Sequence, residues 1–135
     1  MFKTMLVEDN AIFRESLRDS LRLQFPSMEI TETGNGQEAL ERIDSLSPDL
    51  IFMDARLPGQ NGLELTEKIK TFHPETIVII LTNYDLPEYR EAAARFKADH
   101  FLSKDSMTHQ EVNVIVKSIL SEKGFRENGS EREVP

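Results

Sequence analysis

The sequence predicts an α/β fold: a single doubly wound (βα)5 domain around a five-stranded parallel sheet. Three observations point there. Five short apolar runs alternate with five stretches of helical periodicity. The connections between them are short. The third run, Leu50-Ile51-Phe52-Met53, is apolar without a break, which suits a strand buried on both faces.

Lys3–Val7 is the first strand and runs into Glu8-Asp9, with Asn10 placed to cap the following helix. Residues 11–25 carry Phe13, Leu17, Leu21 and Phe25 at four-residue intervals on one face, and Pro26 stops the helix. Residues 28–33 alternate weakly around Ile30, the pattern of an edge strand. After the Gly34-Asn35-Gly36 turn, residues 37–46 form a helix with Ala39, Leu40, Ile43 and Leu46 inward. Leu50–Asp54 is the third strand, and residues 55–62 form a loop rich in turn residues. Residues 63–72 form a helix with Leu65, Ile69 and Phe72 as its face. Ile77–Thr82 is the clearest strand, β-branched and apolar. A helix with a small face, Ala92-Ala93-Ala94, follows over residues 87–96. His100–Ser103 is a short fifth strand ending at Lys104, and residues 108–120 form a helix with Val112, Ile115, Val116 and Ile119 inward. Residues 1–122 are thus the folded domain, and 123–135 a polar tail predicted to be disordered. Right-handed crossovers leave few topologies, and the commonest for five strands is the flavodoxin-like order 2-1-3-4-5.

Composition narrows the function. The chain has 135 residues and 39% apolar content, enough for one proper core. It lacks cysteine, which excludes disulfides and thiolate metal sites. His73, His100 and His109 show no metal-ligand spacing. No signal peptide or membrane-length apolar run is present, so a soluble, cytoplasmic chain is expected. A net charge of -8, from 24 acidic and 16 basic residues, opposes direct nucleic-acid binding by this chain.

The chemistry gathers at the carboxyl ends of the strands, where open α/β sheets bind ligands. In the order 2-1-3-4-5, strands 1 and 3 are neighbours, so Glu8 and Asp9 meet Asp54. Such crowded carboxylates repel, and one has its pKa raised unless a cation intervenes. A hard cation with oxygen ligands resolves the conflict, and Mg²⁺ suits few carboxylates plus water and a phosphate oxygen. Thr82 closes strand 4 and Lys104 closes strand 5, adding a hydroxyl donor and an ammonium to the same edge. Metal, carboxylate, cation and hydroxyl donor together make a phosphoryl site. Each strand end alone also fits a solvated loop residue; the convergence carries the reading.

These residues give the chain its resemblance to a known family. Val7-Glu8-Asp9-Asn10, Asp49-Leu50-Ile51-Phe52-Met53-Asp54, Leu57-Pro58-Gly59 with Asn61-Gly62, Leu81-Thr82 and Phe101-Leu102-Ser103-Lys104 resemble, in that order, a response-regulator receiver domain of two-component signalling. The resemblance implies that Asp54 accepts a phosphoryl group from a sensor histidine kinase or phosphotransfer protein. It implies Mg²⁺ on Asp9, Asp54 and the backbone carbonyl of Arg56, with Glu8 acting through water. It implies that Lys104 pairs with Asp54 or the phosphate, that Thr82 moves to bond a phosphate oxygen, and that Phe101 swings inward. The face of helix 4, strand 5 and helix 5 then selects a downstream protein, with a phosphorylation-dependent homodimer as one outcome.

The chain also departs from the family pattern. Asn83 follows Thr82 where a smaller residue is usual, and Arg56 stands at the mouth of the site. Both are expected to tune the lifetime of the acyl phosphate. Asp105 after Lys104 resembles the NarL/FixJ-like branch, whose members carry a C-terminal DNA-binding domain; no output domain is expected in residues 123–135. Tyr84 and Tyr89 suit either partner contact or packing. An aspartyl phosphatase is the enzymatic alternative, but Arg56 stands where its general acid is needed, so no enzyme is expected. A flavin carrier lacks its phosphate loop, since Glu8-Asp9 would repel the phosphate. A receiver that no longer takes phosphate is opposed by the intact acid set, Thr82 and Lys104.

Overall fold

The computed structural model describes residues 1–132. Its parallel sheet contains β1 (Lys3–Val7), β2 (Glu29–Thr33), β3 (Leu50–Asp54), β4 (Ile77–Thr82) and β5 (His100–Ser103), in the order 2-1-3-4-5. The helices are α1 (Ala11–Gln24), α2 (Gly36–Leu46), α3 (Gly62–Phe72), α4 (Pro87–Arg95) and α5 (His109–Glu122). Strand alternation splits the core into two layers. Leu6, Leu50, Phe52, Ile79 and Leu81 meet α1 and α5 through Leu17, Leu21, Val112, Val116 and Ile119. Met5, Val7, Ile51, Met53, Val78 and Ile80 meet α2, α3 and α4 through Ile43, Leu65, Ile69 and Ala93. β3 is buried along its whole length, as an uninterrupted apolar run requires.

Polar side chains start four of the helices. The side-chain oxygens of Asn10, Asn35, Asn61 and Thr108 accept backbone N–H groups of Phe13, Glu38, Leu63 and Glu111. α4 differs: Leu86 precedes it without a side-chain cap, and Pro87 opens its first turn. Only Ala93 of this helix is buried, while Ala92 is half-buried and Ala94 exposed.

Three features differ from the sequence reading. The loop over residues 55–62 holds a short antiparallel pair, Arg56–Leu57 with Gln60–Asn61, turned at Gly59 with φ +70°. Phe72, expected inward, is 78% exposed, as the last residue of α3. Residues 124–132, read as part of a disordered tail, fold back instead. Phe125 packs edge-on against Phe2 at 5.2 Å and bridges to Glu131. The Asn128 carbonyl accepts the Ser27 N–H at 3.2 Å. Residues 133–135 of that tail lie outside the described residues.

Candidate functional site

Sheet register assembles the site. Val7 pairs with Met53, so the chain leaving β1 at Glu8-Asp9 emerges beside Asp54. Asp54 pairs with Leu81, one residue before Thr82, and Thr82 pairs with Ser103, one residue before Lys104. The Lys104 N–H donates to the Thr82 carbonyl at 2.8 Å, which pins the start of the loop after β5. Gly62 holds the turn after β3: a Cβ there would lie 1.9 Å from the Asp54 carbonyl oxygen.

Glu8, Asp9, Asp54, Arg56, Thr82, Asn83 and Lys104 all line one cleft of about 320 Å³. Asp54 is only 6% exposed. Its Oδ1 accepts the Arg56 N–H at 3.0 Å, and its Oδ2 lies 3.4 Å from Lys104 Nζ. Lys104 pairs more closely with Glu8 Oε1 than with Asp54. Glu8 is buried, and its Oε2 accepts the Asn10 N–H at 3.1 Å. Burial, and then the neighbouring Glu8 carboxyl, push Asp54 from 3.8 up to about 8, against the pull of the Arg56 N–H and Lys104. Glu8, Asp9 and Asp54 each offer an oxygen within 4.8 Å of the others, a donor set able to hold a divalent cation. Such an ion would relieve the conflict that holds Asp54 so far above an ordinary carboxylate, and the exposed Asp9 leaves it a way in.

The buried Thr82 hydroxyl is already engaged, accepting the Tyr84 N–H at 2.9 Å. Phe101 stands apart from the cleft lining; it is half-buried, with the Arg90 guanidinium 4.7 Å from its ring centre.

Residues 4–120 match the family model for the response regulator receiver domain. The chain belongs to this receiver-domain family. It is 33% identical over 121 residues to transcriptional regulatory protein LnrK of Bacillus subtilis, covering 90% of this chain and 53% of that protein. It is 32% identical over 102 residues to chemotaxis protein CheY of Halobacterium salinarum, covering 76% and 83%. The receiver fold superposes on a DNA-binding response regulator of the LuxR family from Staphylococcus aureus with a TM-score of 0.80 at 26% identity, covering 88% and 98% of the two chains. The chain spans about half the length of LnrK and less than a third of several other curated relatives. Receiver domains act as phosphoacceptors rather than as independent enzymes, and the Glu8–Asp9–Asp54 cluster is consistent with a phosphoacceptor site. Among the described residues no helix is long and apolar enough to cross a membrane.

Sequence reasoning missed three parts of this receiver site. The Arg14 guanidinium donates to the Glu8 carbonyl at 2.6 Å and steadies the acidic turn from α1. The Phe13 ring lies 5.0 Å from Lys104 Nζ, an aromatic wall for the ammonium. Tyr84 holds the Thr82 hydroxyl through its backbone. The four-residue spacing that put Phe13 inward was the one available signal, and it pointed to packing.

Proposed function

We propose that this receiver takes a phosphoryl group on Asp54 from a phosphohistidine of a sensor histidine kinase or phosphotransfer protein. The convergence of Glu8, Asp9, Asp54, Thr82 and Lys104 on one cleft carries the proposal. In the transfer, an Asp54 carboxylate oxygen forms the new P–O bond while the P–N bond breaks and its electron pair returns to the imidazole. Mg²⁺, when bound, supplies charge neutralisation between the carboxylates and the phosphoryl oxygens. Asp9, Asp54 and the Arg56 carbonyl are its proposed direct ligands, with Glu8 acting through water. Lys104 sits close enough to Asp54 to stabilise the added charge.

Thr82 then turns its hydroxyl to a phosphoryl oxygen, and Phe101 moves inward. The face of α4, β5 and α5 thereby changes its affinity for a downstream protein or for a second copy of the chain. Arg56 and Asn83 set the lifetime of the acyl phosphate; if Arg56→Ala and Asn83→Ala both lost phosphate at the native rate, that role would be wrong. Asp105 supports placement in the NarL/FixJ-like branch, and the net charge of -8 supports signalling through protein contacts rather than direct binding of nucleic acid by this chain.

Intact mass after incubation with acetyl phosphate tests the proposal. A Mg²⁺-dependent gain of one phosphoryl group, lost in Asp54→Ala, is expected. No gain from folded protein in the presence of Mg²⁺ would overturn it.

A further inference from the structure

We propose that Tyr84 transmits the state of Asp54 to α4 through an aromatic stack; this rests on the phosphoacceptor reading above. The Arg56 guanidinium lies 5.2 Å from the centre of the Tyr84 ring. That ring also stacks on Tyr89, with centroids 5.9 Å apart and planes inclined by 19°. Arg56 comes from the loop after β3, Tyr84 from the loop after β4, and Tyr89 from the first turn of α4. One ladder therefore links the mouth of the cleft to the helix.

Tyr84 is held at two points. Arg56 covers its ring, and the Thr82 hydroxyl accepts its N–H at 2.9 Å. Both holders line the cleft around Asp54. An exposed cation–π contact is weak, whereas a guanidinium bonded to a phosphoryl oxygen makes a strong, charge-assisted contact. The Thr82 hydroxyl gains a comparable partner in the same anion. A phosphoryl group on Asp54 thus competes for both groups that hold Tyr84, and Tyr84 is released when both turn.

The receiving helix is the least anchored of the five. α4 has no side-chain N-cap and buries only Ala93. Arg90, one residue after Tyr89, pairs with Asp85 at 2.6 Å and covers the Phe101 ring. A shift at the start of α4 therefore also alters the cover over Phe101. Release of Tyr84 reaches the α4–β5–α5 face by a route separate from the inward move of Phe101 itself.

Tyr84 and Tyr89 are the only tyrosines, and the chain has no tryptophan. The tyrosine band in near-ultraviolet circular dichroism therefore reads this stack in the full chain. It is recorded before and after Mg²⁺ and acetyl phosphate, with intact mass taken on the same sample. Wild type should lose most of the band on phosphorylation. Arg56→Ala should start with a weakened band and change little. Arg95→Ala, which removes an α4 guanidinium that lies over Phe96 and not over this stack, should behave as wild type. Complete phosphorylation with an unchanged band would overturn the proposal. Absence of the mass gain would overturn the phosphoacceptor reading, and this inference with it.

Discussion

Replacing Asp54 with asparagine should stabilise the resting protein. The asparagine keeps an Oδ1 acceptor for the Arg56 N–H, now met at 3.0 Å, and removes one of two crowded carboxylates. Burial and Glu8 raise Asp54 from 3.8 to about 8. An acid whose pKa is higher folded than unfolded costs stability as the pH rises, because the unfolded chain gives up its proton first. Below 3.8 both states hold the proton and the cost vanishes; it grows up to about 8 and is complete above that. At ~1.4 kcal/mol per pH unit, the interval from 3.8 to neutral pH sets a ceiling of ~4 kcal/mol. Water in the open cleft screens the interaction, so Asp54→Asn should gain ~2 kcal/mol near neutral pH.

Urea unfolding with a chelator present, run on both proteins at mildly acidic, neutral and mildly alkaline pH, reads this directly. The gap should be small in acid and widest in alkali. Adding Mg²⁺ should raise the wild-type midpoint more than that of the variant, because binding to the folded state adds stability by mass action. Equal midpoints at neutral and alkaline pH would refute the raised pKa of Asp54. A variant less stable than wild type throughout would show that the carboxylate is a net stabiliser.

Lys104→Met leaves Glu8 and Asp54 without the ammonium that lies between them, and should cost ~3 kcal/mol at neutral pH. A midpoint that does not move in the same urea series would remove Lys104 from the charge balance. Gly62→Ala drives a methyl into the Asp54 carbonyl oxygen, 1.9 Å from the added carbon, and should cost ~3 kcal/mol in thermal unfolding. A loss well under ~1 kcal/mol would mean that the turn after β3 yields easily. Phe125→Ala should cost ~1–2 kcal/mol, because the ring is half-buried against Phe2. Truncation after Lys123 should do similar harm; if both proteins unfold with the wild type, the packing of residues 124–132 adds nothing.

The parts of this protein legible in its sequence are those that backbone register determines. Leu50–Asp54 has the predicted bounds because burial on both faces calls for an unbroken apolar run, which ends at Asp54. Once β1 lies beside β3, Glu8 and Asp9 must emerge next to Asp54, whatever their side chains do. Less legible features depend on pairings with no period. The Arg56–Leu57 pair with Gln60–Asn61 is too short to alternate, and only Pro58-Gly59 marked a turn there. Phe72 keeps the helical spacing of Leu65 and Ile69, but spacing does not say that the last residue of the helix stays exposed. Phe125 is an isolated aromatic in a polar stretch, and its partner Phe2 lies at the other end of the chain.

The same distinction explains why the resting site differs from a simple sum of its predicted residues. The strand ends place Lys104, Thr82 and Arg56 around Asp54, yet each is engaged elsewhere. Lys104 is closer to Glu8 than to Asp54, the Thr82 hydroxyl holds the Tyr84 N–H, and the Arg56 guanidinium covers the Tyr84 ring. These partners occupy all three groups while Asp54 carries no phosphoryl group. They also mean that added charge on Asp54 competes with existing contacts instead of filling vacant ones. Two of the three contacts end on Tyr84, so a change at one carboxylate is read first by the loop after β4 and the helix that follows it.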